Sequence, residues 1–159
     1  MEQIEMTTKT WLTVLGASAL AVACGYTYVS GTYFPQSWEQ DLVQVSECAP
    51  TEHPAGGFQK VLMTPKAAAQ LKAKQFPIAE GELVLKAQYK HDRTCRGEID
   101  LWTVMRKGKK GTAPKSGDWE WQTVWGSGKI AQQGQMQFCI DCHEGCAGDE
   151  TDYLCIAAQ

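Results

Sequence analysis

The sequence predicts an α+β domain, a mainly antiparallel β-sheet with one or two helices, preceded by an N-terminal transmembrane helix. Three observations carry this. Apolar and polar residues alternate with period two in several separate segments, one alanine-rich stretch opens on Thr64-Pro65, and no charged residue lies between Lys9 and Glu39. A length of 159 residues gives room for one domain, not two. The net charge of −3 rules out a generally basic nucleic-acid binder, so no nucleic-acid partner is expected. With 15 glycines and 6 prolines the chain is neither collagen-like nor wholly disordered.

The uncharged run is most apolar from Trp11 to about Val29, and a helix needs about 20 mainly apolar residues to cross a bilayer. Trp11 stands at one end and Tyr26, Tyr28 and Tyr33 toward the other, as in an aromatic belt. Residues 1–34 therefore read as a retained membrane anchor. A cleaved signal peptide would begin with a basic region, whereas Glu2 and Glu5 outnumber Lys9. Ala21-Val22-Ala23-Cys24 loosely resembles a lipoprotein cleavage box, which would place lipid on Cys24, but the apolar run continues past it.

Residues 35–57 carry Pro50, Pro54 and the paired Gly56-Gly57, and read as a linker or irregular lead-in to a domain over 58–159. In that domain Phe58 to Met63 reads as a strand. Thr64 caps a helix with Pro65 at its first position, continuing through Ala67, Ala68, Ala69, Leu71 and Lys72 until Phe76-Pro77 stops it. Gly81 opens a strand through Tyr89, with Leu83, Leu85, Ala87 and Tyr89 on one face. Glu98 to Arg106 is another, with Ile99, Leu101, Thr103 and Met105 alternating against Asp100, Trp102 and Val104. Lys107 to Gly117 reads as a solvated lysine-bearing turn, or as a docking patch. Asp118 to Trp125 is a third strand with Trp119, Trp121, Thr123 and Trp125 on one face, suited to sheet core or a dimer contact. Gly126-Ser127-Gly128 turns into a short strand, Lys129 to Gln135.

Seven cysteines cannot all pair with one another. Cys139-Ile140-Asp141-Cys142-His143 is C-x-x-C-H, the spacing of covalent c-type haem attachment: two thiols form thioethers with the haem vinyl groups and the adjacent imidazole reaches the iron. A zinc site would need two further ligands, of which Cys146 could be one, and a thioredoxin-like site would need a βαβ setting that is absent. Haem attachment implies assembly outside the cytoplasm, where disulfides persist. Cys48 with Cys95, and Cys146 with Cys155, are guessed pairs that would leave Cys24 alone in the anchor.

From Phe58 onward the chain resembles the cytochrome P-460 family, which includes the beta-type cytochromes c-prime. The carrying residues are Pro65 with its helix, Phe76-Pro77, Gly81 through Lys86, Met105-Arg106-Lys107, Gly117-Asp118-Trp119, Cys139 to His143, and Thr151-Asp152-Tyr153. The resemblance implies a compact antiparallel sheet holding one covalent haem c, often as a homodimer, with an open or weakly occupied distal position. It matches Lys86 to the lysine bonded to the porphyrin in hydroxylamine-oxidising members. It sets Gln59 near a distal arginine and Trp102, to within one residue of register, near a distal glutamate. An indole and an amide there imply a pocket short of proton acceptors, which disfavours the enzyme.

Met63, Met105 and Met136 are candidates for a second iron ligand, and His53 and His91 fall in loop-like stretches. Asp141, Glu144, Asp149, Glu150 and Asp152 make the attachment region acidic, suited to steering a basic redox partner. The expected protein is a single-pass, inner-membrane monohaem c-type cytochrome with its haem domain on the periplasmic side. It transfers electrons to a redox partner protein or membrane complex, of which it is a small subunit. The rival readings are a five-coordinate haem protein that binds nitric oxide or carbon monoxide, an enzyme oxidising hydroxylamine or nitric oxide, and an accessory subunit whose haem is structural.

Overall fold

Residues 31–51 and 56–156 are described by a computed structural model of the chain. In chain order the elements are α1 (Trp38–Asp41), β1 (Val43–Gln44), β2 (Ala49–Pro50), β3 (Phe58–Met63), α2 (Pro65–Lys72), β4 (Leu83–Tyr89), β5 (Leu101–Lys107), a 3₁₀ turn (Pro114–Ser116), β6 (Trp119–Trp125), β7 (Ile130–Gly134) and α3 (Gln137–Glu144). The strands form one antiparallel sheet in the order β1-β3-β4-β5-β6-β7, with β2 also paired to β3.

The register separates two faces. Leu85 lies opposite Leu62 and Val104, and Trp102 opposite Ala87 and Val124, so these share one face. Lys86 lies opposite Val61 and Thr103, and Thr103 opposite Thr123, which puts them on the other. Most side chains of β4 and β5 are buried on both sides of the sheet, with the buried polar ones, Gln88, Thr103 and Lys107, all on the second face beside Lys86.

The first face packs against the N-terminal segment: Phe34 and Leu42 are buried there with Leu83, Leu85, Tyr89, Trp102 and Val104. Gln122, fully buried, stitches this segment to the sheet by accepting from the Thr32 hydroxyl at 2.6 Å and the Tyr33 amide at 3.0 Å. Of the expected linker or irregular lead-in over 35–57, the lead-in is what forms: β1 and β2 pair with β3, and Trp38 and Leu42 pack on the sheet, so the described residues of this segment belong to the domain. So do residues 31–34, which the sequence put in the anchor; the rest of that segment, residues 1–30, lies outside the described residues. Among the described residues no helix is long and apolar enough to cross a membrane.

The second face packs Val61, Met63, Val84, Met105, Trp119 and Trp121 beneath α2, Ile78, α3 and Leu154. Here α2 starts at Pro65 with Thr64 at the N-cap as expected, but the Thr64 side chain makes no capping hydrogen bond. The Thr64 hydroxyl donates to Glu82 at 2.5 Å and accepts from the Leu83 amide, joining the helix start to β4. Among the described residues there are three short α-helices; α1 is a single turn and α3 carries the C-x-x-C-H motif. At the β6–β7 turn only glycine fits at position 126, because a Cβ there would fall 1.8 Å from the Ile99 carbonyl oxygen.

Candidate functional site

Cys139, Cys142 and His143 sit on α3, whose helical turn brings all three to one end of the second face. Cys48 is bonded to Cys95 and Cys146 to Cys155, the pairs guessed from the sequence, whereas Cys139 and Cys142 are free thiols. Burial pushes the Cys139 thiol up to about 11, against the lowering effect of Lys86. It therefore stays protonated at neutral pH, the form that adds across a vinyl bond. The His143 Nδ1 lies 2.7 Å from the Tyr153 carbonyl oxygen. A carbonyl only accepts, so Nδ1 carries the proton and Nε2 keeps a free lone pair. Burial lowers the imidazole pKa, outweighing the raising effect of that hydrogen bond, and a neutral ring is the ligating form.

Two adjoining cavities of about 760 and 680 Å³ share Lys86, Thr103, Phe138, Cys142 and His143 as walls. Each lies in the size range of cofactor sites, about 300–1,000 Å³. Gln59, Val61, Val84 and Met105 line the first; Trp125, Ile130 and Met136 line the second. Among the described residues, two of the three large exposed apolar side chains line these cavities, Val43 being the third. Phe138 is 57% and Trp125 51% exposed, and a flat apolar group in the cavity would cover both. Two buried polar atoms beside the site, Gln59 Oε1 and Trp121 Nε1, have no hydrogen-bond partner. The Trp121 ring meets the His143 ring edge-on at 6.0 Å. Paired free thiols beside a bare imidazole nitrogen, in a half-apolar cavity of this size, fit a covalently held porphyrin. A model of the cytochrome P-460 family matches residues 35–155.

The chain belongs to the cytochrome P-460 family. It is accordingly a c-type haem protein, with the haem held covalently. No curated protein matches the sequence. The family match begins at Pro35, in agreement with the packing of the lead-in.

Lys86, expected near the porphyrin, faces both cavities; burial lowers its amine pKa, while the Cys142 and Cys139 thiols act to raise it. Gln59 faces the first cavity. Trp102 does not face either: it is 2% exposed on the opposite side of the sheet, with its ring centroid 5.1 Å from Phe34 and 4.8 Å from Trp38. The reason is strand parity. Trp102 is opposite Ala87, whereas Thr103 is opposite Lys86 and lines both cavities. The cavity wall beside Lys86 thus carries the Thr103 hydroxyl where an indole was expected, with Gln88 Nε2 donating to Thr103 Oγ1 at 2.9 Å.

Of the methionines, Met105 and Met136 line the cavities and Met63 is buried in core. His91 is exposed in a loop, and His53 lies outside the described residues. Two residues the sequence misplaced are Lys107 and Asp152. Rather than a solvated lysine and a surface acid, they form a buried ion pair at 2.5 Å. No sequence signal marks this pair, since each residue sits in a run of similar charges. A third hollow, of about 810 Å³, is floored by this pair and contains no residue of the haem motif.

Proposed function

We propose that this is a membrane-anchored monohaem c-type cytochrome of the extracytoplasmic side, whose haem is attached at Cys139 and Cys142, ligated by His143, and used for electron transfer. The observation that carries the reading is the set of two free thiols and a neutral imidazole with bare Nε2 on one helix beside the cavity. The bound group would supply a one-electron iron couple. The chain's own residues do the rest. His143 is held in one tautomer by the Tyr153 carbonyl, the cavity-lining Phe138 and Trp125 would pack against the group, and Val61, Val84 and Met105 give the cavity an apolar wall that would exclude water. Exposed Asp141, Glu144, Asp149 and Glu150 around α3 suit a basic redox partner. The uncharged apolar run from Trp11 to about Val29 supports the anchor, and with it a place in a membrane redox complex.

A second reading is favoured by one observation: the cavity wall nearest Lys86 is polar, with Thr103 and Gln59, rather than sealed by Trp102. Such a wall suits a small ligand on the iron, either a bound gas or a substrate such as hydroxylamine. Spectra of the oxidised, reduced and carbon monoxide-treated protein separate the readings. An electron carrier gives a low-spin spectrum unchanged by carbon monoxide. A ligand-binding protein is high-spin and takes up carbon monoxide when reduced. A red-shifted Soret band, with Lys86 joined to porphyrin in a peptide map and turnover of hydroxylamine above that of free haem, would establish the enzyme.

A further inference from the structure

We propose that the buried Lys107–Asp152 ion pair is a positioning device for His143, setting the strength of its bond to iron through the Tyr153 carbonyl. The inference rests on the haem reading above and concerns residues that never touch the cofactor.

Asp152 is tied to the rest of the domain at three atoms. Its Oδ1 accepts from Lys107 Nζ at 2.5 Å, its Oδ2 accepts from the Ile78 amide at 2.7 Å, and its carbonyl accepts from Trp119 Nε1 at 2.8 Å. Lys107 is in turn fixed by donating to the Gly117 carbonyl at 2.7 Å and by lying 4.8 Å above the Trp119 ring. Both charged side chains are 7% exposed, so neither can leave its partner for water.

The next residue is the one that meets the histidine. Asp152 and Tyr153 both have left-handed backbone, with φ of 49° and 62°, which non-glycine residues adopt at a cost. The contacts on Asp152 hold this turn in place. From the far side the Tyr153 ring is seated on Gly117, where a Cβ would fall 2.5 Å from the ring. The amide of Tyr153 donates to the Cys146 carbonyl at 3.1 Å, and the Cys146–Cys155 disulfide closes the same loop. A carbonyl so fixed aims at His143 Nδ1 from 2.7 Å. A hydrogen bond to the far nitrogen raises the basicity of a metal-bound imidazole and sets its ring orientation, so a rigid acceptor fixes both.

The test uses holoprotein and reads the iron–histidine stretching band of the reduced form by resonance Raman. Asp152→Asn and Lys107→Met should shift the band down, as the acceptor loosens. Val104→Ala, which empties space in the opposite core, should lower thermal stability and leave the band in place. Gly117→Ala keeps both charges and reaches the same carbonyl by pushing the Tyr153 ring, so it should move the band too. In the unaltered protein the His143 ring proton should exchange with solvent over hours by NMR. An unmoved band in the variants that keep haem, or exchange of that proton within minutes, would overturn the proposal and leave the haem reading intact. Absence of covalent haem from the unaltered protein would instead overturn the haem reading.

Discussion

At the scale of single residues, parity along a strand decides roles. Trp102 and Thr103 are neighbours in sequence and lie on opposite sides of the sheet, one in a core and one in a cavity wall. Trp102→Ala should therefore cost about 3–5 kcal/mol of stability, as for other large core truncations, measured by denaturant unfolding. It should leave the rate of carbon monoxide binding to the reduced protein unchanged. Thr103→Val should affect both stability and ligand binding. It deprives the buried Gln88 Nε2 of its acceptor, a loss of about 1–3 kcal/mol, and it removes a hydroxyl from the cavity, so ligand-binding rates should change. Equal carbon monoxide kinetics in native and Thr103→Val protein, with altered kinetics in Trp102→Ala, would reverse the assignment of faces.

At the scale of elements, β4 shows how burial enters stability. Tyr89 is buried at its end, and burial, aided by nearby Asp92, pushes its phenol up to about 12. The unfolded phenol titrates near pH 10. Because the folded value is raised, this contribution is intact below about pH 10 and is lost as pH rises toward about 12. Tyr89→Phe should flatten that part of the stability profile, as read from unfolding midpoints between those pH values. The strands β3 to β7 and the start of α2 were readable from the sequence because their signals are local: period-two alternation, Thr-Pro, Gly-Ser-Gly. The lead-in was not, since β1 and β2 are two residues each and owe their existence to pairing with β3. In the same way α3 has no run of apolar residues at helical spacing, and its motif announced chemistry without announcing the helix. The ion pair of Lys107 and Asp152 joins residues 45 apart, a contact that only the tertiary fold creates.

At the scale of the whole molecule, one disulfide ties the lead-in to the loop between β4 and β5, and the other closes the C-terminal loop after α3. Cys48–Cys95 closes a loop of 47 residues, so Cys48→Ser with Cys95→Ser should lower stability by about 2–5 kcal/mol, measured against native protein without reductant. The two faces divide the labour: one is packed by the N-terminal segment and gives rigidity, and the other is left open beside α3. The acidic surface around α3 implies that electron exchange with a basic partner should slow as salt is raised, which stopped-flow mixing would measure. The most direct measurement is mass spectrometry of the C-terminal proteolytic fragment that contains Cys139 to His143, after acid–acetone extraction of the purified protein. The fragment should carry the mass of one haem, and Cys139→Ser with Cys142→Ser should abolish it. A bare fragment from the unaltered protein, with the colour passing into the solvent, would contradict attachment at these cysteines.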